Sequence, residues 1–193
     1  MFYLRVISGS ARGHKLIPPT GLNIRPTTDR IKEAVFSMIQ NDLWEADFLD
    51  LFSGTGAIGI EALSRGAKSC TFVDSSKESI EIINKNIKQV SSTIKSSDYR
   101  ILNQDILSAI AGLKDKKFDI IFMDPPYDKE IIDTTLKCIG DNNILKENAF
   151  IVIEQSKDKP KPLEGKFTAL KTKIYGLTTI TIMKQEARSA EDL

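Results

Sequence analysis

The segment Asp124-Pro125-Pro126-Tyr127 combines residue types that can hold and activate a planar amine. Each proline has a fixed φ and lacks a backbone N–H, so the segment offers carbonyl oxygens beside a carboxylate. The two N–H groups of a nucleobase amine can donate to Asp124 and to the carbonyl of Pro125, while Tyr127 stacks on the ring. Holding both hydrogens out of the ring plane frees the nitrogen lone pair for attack on a methyl group. The segment therefore predicts catalysis by positioning and fixed electrostatics.

A glycine-rich segment earlier in the chain, Gly54 to Gly59, has the pattern G-x-G-x-x-G, and Asp74 follows Gly54 by 20 residues. This is the spacing of an acidic residue that binds ribose hydroxyls. Two ligands fit: a dinucleotide, whose pyrophosphate sits on a helix N-terminus, and S-adenosylmethionine, which has no phosphate and carries an amino-acid end. Asp50 favours the second, because a carboxylate four residues before Gly54 would repel a pyrophosphate and suit an ammonium group.

Acidic residues recur where predicted strands end. Asp105 can accept a hydrogen bond from an adenine amino group or cap a helix. The residues predicted to bind S-adenosylmethionine are the strand-end acids and the glycine-rich turn: Asp50, Gly54, Thr55, Gly56, Asp74, Asp105 and Asp124.

Strand-like and helix-like segments alternate through the middle of the chain, which predicts an α/β, Rossmann-like fold with a doubly wound parallel sheet. The ligand site of such a sheet lies at the carboxyl ends of its strands. The predicted strands are 47–52, 69–73, 99–103, 118–123 and 149–153, with a terminal hairpin from about 167–174 and 177–183. A helix is predicted over about 28–41, and Ser75 with Glu78 fits a capping box for another helix.

The charge is unevenly distributed. The 193 residues have a formal net charge of +1, 41% are hydrophobic, and the two cysteines exclude a disulfide framework. Residues 1–32 hold six basic residues and one acidic residue, which gives +5 and leaves −4 for the remainder. A basic N-terminal hairpin on a neutral-to-acidic body is compatible with a nucleic-acid partner. Without an apolar run of about 20 residues or a signal-peptide pattern, we expect a cytoplasmic protein with no membrane partner.

Several of these segments resemble known enzymes. Asp50–Gly56 and Asp124–Tyr127 look like the motifs of amino-methyltransferases that use S-adenosylmethionine. Arg5–Gly9, Arg25–Arg30 and Gly59–Ala67 are similar to segments of the bacterial RsmD family, and the similarity covers nearly the whole chain except its tail.

The resemblance implies a small-subunit ribosomal RNA guanine-N2 methyltransferase that acts on guanine 966 in the usual 16S numbering. It implies a seven-stranded sheet, S-adenosylhomocysteine as product, and an N-terminal hairpin placed against the RNA. The expected organisation is a basic extension over 1–27, a methyltransferase domain over 28–184 and a disordered tail over 185–193. The RNA-binding residues would be Arg5, Arg12, His14, Lys15, Arg25 and Arg30.

Alternatives remain at this point. A DNA adenine-N6 methyltransferase would use the same Asp-Pro-Pro-Tyr motif, and an NAD-dependent oxidoreductase would use the glycine-rich segment with Asp74. A non-catalytic RNA-binding module would use the basic hairpin alone. We expect no metal, because His14, Cys70 and Cys138 lie far apart in the sequence, and we expect a monomer that meets 16S rRNA in the 30S subunit or an assembly intermediate.

Overall fold

The computed structural model describes residues 4–19, 29–94, 98–126, 129–158 and 166–186. The predictions for Arg25, Tyr127 and tail residues 187–193 lie outside these ranges. The elements are α1 (Asp29–Ile39), β1 (Asp47–Leu51), α2 (Ala57–Ser64), β2 (Ser69–Asp74), α3 (Lys77–Val90), β3 (Tyr99–Asn103), α4 (Ile106–Gly112), β4 (Phe118–Met123), α5 (Lys129–Asn142), β5 (Leu145–Ser156), β6 (Phe167–Tyr175) and β7 (Thr178–Gln185).

The seven strands form one sheet in the order β3-β2-β1-β4-β5-β7-β6. Strands β1 to β5 pair in parallel, whereas β7 runs antiparallel to both β5 and β6. This confirms the predicted Rossmann-like fold with its terminal antiparallel hairpin. The order reverses between β1 and β4, and the crevice at such a switch point is where open α/β sheets bind ligands.

Alternate residues of the central strands face two separate cores. Phe48 of β1 and Phe122 of β4 lie in a cluster with α1, α2 and α3. Leu49 and Met123 face the opposite cluster, which α4 and α5 cover. Strand side chains alternate between faces, so Asp50 and Asp124 project on the face that carries α1, α2 and α3.

Two local predictions differ from the structure. The side chain that caps α3 is Ser76, which accepts a hydrogen bond from the backbone N–H of Ser79; the predicted cap, Ser75, was wrong by one residue because the Asp74 carboxylate binds the N–H of Ser76 and fixes the turn. Strand β5 begins at Leu145 rather than at residue 149, because Leu145 pairs with Phe118 ahead of an irregularity in the ladder.

The N-terminal hairpin is present and packs into the main body. An antiparallel bridge joins Arg5 to Lys15, and Leu4, Val6, Ala11 and Leu16 belong to the same core cluster as α1 and α2. The RNA-binding role of residues 1–27 stays a prediction, but the described part of this segment shares its core with the body.

Buried polar groups hold this hairpin on α2. Glu61 is fully buried and accepts hydrogen bonds from the backbone N–H groups of Ile7 (2.8 Å) and Ser8 (2.9 Å). The Ser64 hydroxyl donates to the Ser8 carbonyl and accepts from the Ala11 N–H. Gly9 has φ +81°, and a Cβ on it would lie 1.8 Å from the Ser64 carbonyl oxygen. Only glycine allows this contact.

No helix within the described ranges is long and apolar enough to cross a membrane.

Candidate active site

The predicted site residues of β1 and β4 lie at the sheet's switch point. Leu51 of β1 is the register partner of Met123 of β4, so Asp50 and Asp124 lie near the carboxyl ends of adjacent strands. Asp50 is 1% exposed, and its Oδ2 accepts a hydrogen bond of 3.0 Å from the backbone N–H of Gly59 in α2.

The N–H groups of Gly54 and Gly56 in the glycine-rich loop donate hydrogen bonds to protein acceptors. Gly54 donates to Asp74 Oδ2 at 2.8 Å, and Gly56 donates to the Ser53 carbonyl at 2.7 Å. A dinucleotide pyrophosphate would need these N–H groups and would meet the carboxylates of Asp50 and Asp74. The geometry therefore disfavours the dinucleotide interpretation of the segment.

An approach to this loop is nevertheless open at Gly54. Its φ is +54°, and a Cβ added there would meet only the Phe52 carbonyl oxygen, at 4.0 Å. A ligand can thus come close to the loop backbone, as a glycine at this position predicts.

Several carboxyl groups cluster in the site. Burial, followed by the nearby carboxylates of Asp74 and Asp124, raises the pKa of Asp50 to about 8, although the Gly59 hydrogen bond opposes the shift. Within the described ranges, the ion pairs formed by side chains include none with Asp50, Asp74 or Asp124. Such a cluster suits a positively charged ligand.

Asp124 begins the turn after β4, followed by buried Pro125 and exposed Pro126. The Asp124 residue as a whole is exposed, but burial of its carboxyl group among protein atoms raises its pKa to about 7. The structure therefore places a carboxylate and a donor-free turn side by side. Tyr127 lies outside the described residues.

Asp105 follows β3 and caps α4. Its Oδ1 accepts hydrogen bonds from the N–H groups of Leu107 (3.0 Å) and Ser108 (3.1 Å). Both bonds use the same oxygen, so the second oxygen remains available to a ligand within the described part of the site. Capping and adenine binding are thus compatible, and the second role stays a prediction.

The predicted RNA-binding residues do not all lie near this crevice. The hairpin turn contacts Ser64 at the C-terminal end of α2, whereas the glycine-rich loop precedes its N-terminal end, and the eight-residue helix between them is about 12 Å long. Exposed Arg12 belongs to this turn. His14 is half-buried and its Nδ1 lies 2.9 Å from the Ala11 carbonyl oxygen. Arg5 is exposed and pairs with Asp29 at 2.8 Å. Lys15 and Arg30 are exposed as well.

One buried amide joins the hairpin to the glycine-rich loop. Asn86 of α3 accepts from the Ile17 N–H at 2.7 Å and donates to the Thr55 carbonyl at 2.9 Å. The end of the hairpin and the glycine-rich loop are therefore positioned by the same side chain.

Comparison with known proteins agrees with this geometry. The family model described as "Conserved hypothetical protein 95" matches residues 4–184. The chain is 38% identical over 183 residues to "Putative rRNA methyltransferase YlbH" of Bacillus subtilis, covering 94% of this chain and 99% of that protein. It is 30% identical over 190 residues to "Ribosomal RNA small subunit methyltransferase D" of Escherichia coli strain K12, covering 98% and 93%. The solved structure of "Putative methyltransferase yhhF" from Escherichia coli superposes with a TM-score of 0.81 at 31% identity, covering 95% and 98%.

The chain belongs to the RsmD family of methyltransferases. The predicted family is confirmed, and with it the general class of the enzyme. The roles of the individual site residues in this RsmD-family chain stay predictions.

The buried polar residues of this RsmD-family chain that the sequence patterns did not identify include Glu61, Asn86 and Glu154. Glu61 and Glu154 each stand alone in an apolar run, AIGIEALS and AFIVIEQ respectively. An ionisable residue inside an apolar run is the sequence signal that could have identified these two glutamates, because burying a carboxyl is costly unless it has a partner or a function.

The buried Asp50 predicts how stability depends on pH. Its pKa rises from an ordinary value near 4 to about 8 on folding, so the folded state binds more protons between these limits. The free energy of unfolding should therefore fall as pH rises from about 4 to 8, by at most about 1.4 kcal/mol per pH unit for this group. Urea denaturation at pH 5 and pH 8 should show a smaller fall for Asp50→Asn than for the unmodified protein. Asp42→Asn, in the exposed segment after α1, should show the same fall in the free energy of unfolding as the unmodified protein. An equal fall in the unmodified protein and in both variants would contradict the raised pKa of Asp50.

Proposed function

We propose that this chain transfers a methyl group from S-adenosylmethionine to the exocyclic N2 of a guanine in 16S ribosomal RNA, at guanine 966 in the usual numbering. The observation that carries the proposal is the placement of buried Asp50 and of Asp124-Pro125-Pro126 at the ends of adjacent strands, in a chain of the RsmD family. The names of the Bacillus and Escherichia relatives, both of which specify rRNA, support the choice of substrate.

The acidic crevice fits the cofactor. When bound, S-adenosylmethionine supplies a methyl group on a positively charged sulfur. Asp50 would hold the ammonium group, directly or through water, and Asp74 would accept from the ribose hydroxyls with lone pairs that its two loop hydrogen bonds leave free. The second oxygen of Asp105 would accept from the adenine amino group, and the Gly54–Gly56 backbone would line the approach.

The Asp124 turn would hold the acceptor base. One N–H of the guanine amine would donate to the Asp124 carboxylate and the other to the Pro125 carbonyl, which keeps the nitrogen lone pair out of the ring system. Tyr127 would stack on the base. Asp124 does not need to be a strong base, because the amine proton becomes acidic once the methyl group is attached. No residue in this scheme requires a metal, and no metal-holding group of three or more His, Cys, Asp or Glu side chains occurs among the described residues.

The proposed partner is 16S rRNA within the 30S subunit or an assembly intermediate, bound in the cytoplasm by a monomer. The basic residues that support RNA contact lie on the hairpin, on α1 and at Arg25. The hairpin is fixed to the body by Glu61 and Asn86, so it offers a preformed surface to phosphates.

The direct test uses labelled S-adenosylmethionine with three substrates: naked 16S rRNA, an assembly intermediate and 30S subunits that lack the modification. We expect label on guanine N2 in at least one of them, mapped by nuclease digestion and mass spectrometry. Duplex DNA serves as the comparison. Transfer to DNA adenine without transfer to RNA would replace this proposal with the DNA methyltransferase alternative.

The contribution of the hairpin to RNA binding can be measured from the salt dependence of the affinity. Arg12 is exposed and forms no ion pair among the described residues, so Arg12→Gln should remove a phosphate contact with little cost to folding. We expect 30S affinity to fall about 2- to 10-fold, and the slope of log K against log salt to flatten by about 0.7–0.9. Lys116→Gln, in the exposed loop before β4, is the matched control and should change neither quantity. An unchanged slope for Arg12→Gln would remove Arg12 from the RNA surface.

A further inference from the structure

Glu154 of β5 is a buried carboxyl with an unsatisfied oxygen. The residue is 8% exposed, and its Oε2 has no hydrogen-bond partner within the described ranges. Leaving a buried acceptor unpaired costs free energy that a hydrogen bond would recover. Glu61, the other buried glutamate among the described residues, instead has two N–H donors and two cations around it.

The register of the sheet places Glu154 beside Asp124. Ile153 of β5 is the partner of Met123, the last residue of β4, so Glu154 and Asp124 occupy the next positions on adjacent parallel strands. Adjacent strands lie about 4.8 Å apart, and partner residues project on the same face. Strand β5 continues to Ser156, paired with β7, so Glu154 forms part of the wall beyond the end of β4.

The electrostatics agree with this proximity. Burial and the neighbouring Asp124 carboxyl raise the pKa of Glu154. In the strand order, Asp74 and Asp50 lie on one side of Asp124, on β2 and β1, and Glu154 lies on the other, on β5. Glu154 is thus next to the turn that would hold the acceptor base and on the side away from the glycine-rich loop.

We propose that Glu154 accepts the N1–H of the target guanine and so selects guanine over other bases that carry an amine. The inference rests on the proposed guanine-N2 activity. Guanine presents N1–H directly beside its N2 amine, so a base whose amine is held by Asp124 and Pro125 would offer this donor to the neighbouring strand. In its ionised form, which a donated N1–H stabilises, the Glu154 carboxylate is an acceptor only, and it would repel the N1 lone pair that adenine or 2-aminopurine presents at the same position.

The experiment changes the base and the protein together. We would reconstitute 30S particles from 16S rRNA that carries guanosine, 2-aminopurine riboside or inosine at the target position. 2-Aminopurine keeps the amine but has an acceptor at N1, whereas inosine keeps N1–H but has no amine. The unmodified protein should methylate guanosine with a kcat/KM about 10- to 100-fold above that for 2-aminopurine, and inosine should receive no label.

Glu154→Gln should abolish this discrimination. The glutamine amide can accept from guanine N1–H in one orientation and donate to N1 of 2-aminopurine in the other, so the ratio of the two kcat/KM values should fall to within about threefold of one. Glu147→Gln, an exposed position on the same strand, should keep the ratio of the unmodified protein. Thermal unfolding and S-adenosylhomocysteine binding, measured by calorimetry, would check that each variant is folded.

The outcomes separate the two proposals. Label on inosine, or none on guanosine, would overturn the guanine-N2 activity itself. Normal guanosine methylation with an unchanged ratio in Glu154→Gln would overturn only the role of Glu154. If that variant failed to fold, the unmodified protein would still test N1–H recognition. Equal kcat/KM values for guanosine and 2-aminopurine would refute it.

Discussion

Asp124→Ala is expected to lower the rate of methyl transfer by about 10²–10³-fold or more, while S-adenosylhomocysteine still binds. The carboxylate lies at the end of β4, beside buried Pro125 and across the switch point from Asp50. Its proposed contact is with the reacting amine, so its loss removes a preorganised acceptor that acts where charge develops. Asp124→Asn retains an amide oxygen that can accept one N–H, so we expect a smaller loss than for alanine.

Single-turnover assays on 30S subunits at saturating S-adenosylmethionine would measure the effect on the chemical step, with calorimetry for S-adenosylhomocysteine in parallel. Asp115→Ala, in the exposed loop after α4, is the control and should retain the full rate. A full rate in Asp124→Ala would favour the non-catalytic RNA-binding alternative. A variant that lost cofactor binding together with activity would assign Asp124 to the cofactor rather than to the acceptor base.

The sequence predicted those parts of the fold that local patterns specify. The strands that carry Asp50 and Asp124 are short apolar runs bounded by turn residues, and their ends were placed within one residue. Ser76 was missed as the cap of α3 because two adjacent serines fit the same pattern. The Asp74 carboxylate decides between them, because it accepts from the N–H of Ser76 while its other oxygen accepts from the N–H of Gly54.

The long-range polar contacts could not be predicted in the same way. Glu61 accepts hydrogen bonds from Ile7 and Ser8 across more than 50 residues of sequence, and the register of β4 and β5 places Glu154 beside Asp124. A single sequence shows that each glutamate interrupts an apolar run, but it does not show which segment supplies the partner. Charge counting predicted a basic hairpin for RNA, yet it could not show that Arg5 pairs with Asp29 or that Arg12 lies at the far end of α2.

Glu61→Gln is expected to produce the largest loss of stability among the substitutions considered. The side chains of Glu61 and Lys32 are both fully buried, with 3.5 Å between Lys32 Nζ and Glu61 Oε2, and burial lowers the pKa of Lys32 despite that partner. Glutamine would leave the lysine charge uncompensated. It would also turn an amide N–H toward one of the two backbone N–H groups from which Glu61 now accepts hydrogen bonds. We expect the free energy of unfolding to fall by about 3–5 kcal/mol.

Lys32→Met tests the reason for this loss. Methionine fills similar space and removes the buried charge, while Glu61 keeps Arg65 (2.8 Å) and the two hairpin N–H groups as partners. Its cost should therefore be smaller, at about 1–2 kcal/mol, and the exposed α1 position Glu33→Gln should cost less than about 0.5 kcal/mol. Urea denaturation of the three variants gives the order directly. If Lys32→Met were as destabilising as Glu61→Gln, the contacts of Lys32 with Glu61 and with the Arg5 carbonyl would hold the hairpin. The predicted order instead assigns that role to the Glu61 carboxylate and its backbone donors, since these bonds remain when the lysine charge is removed.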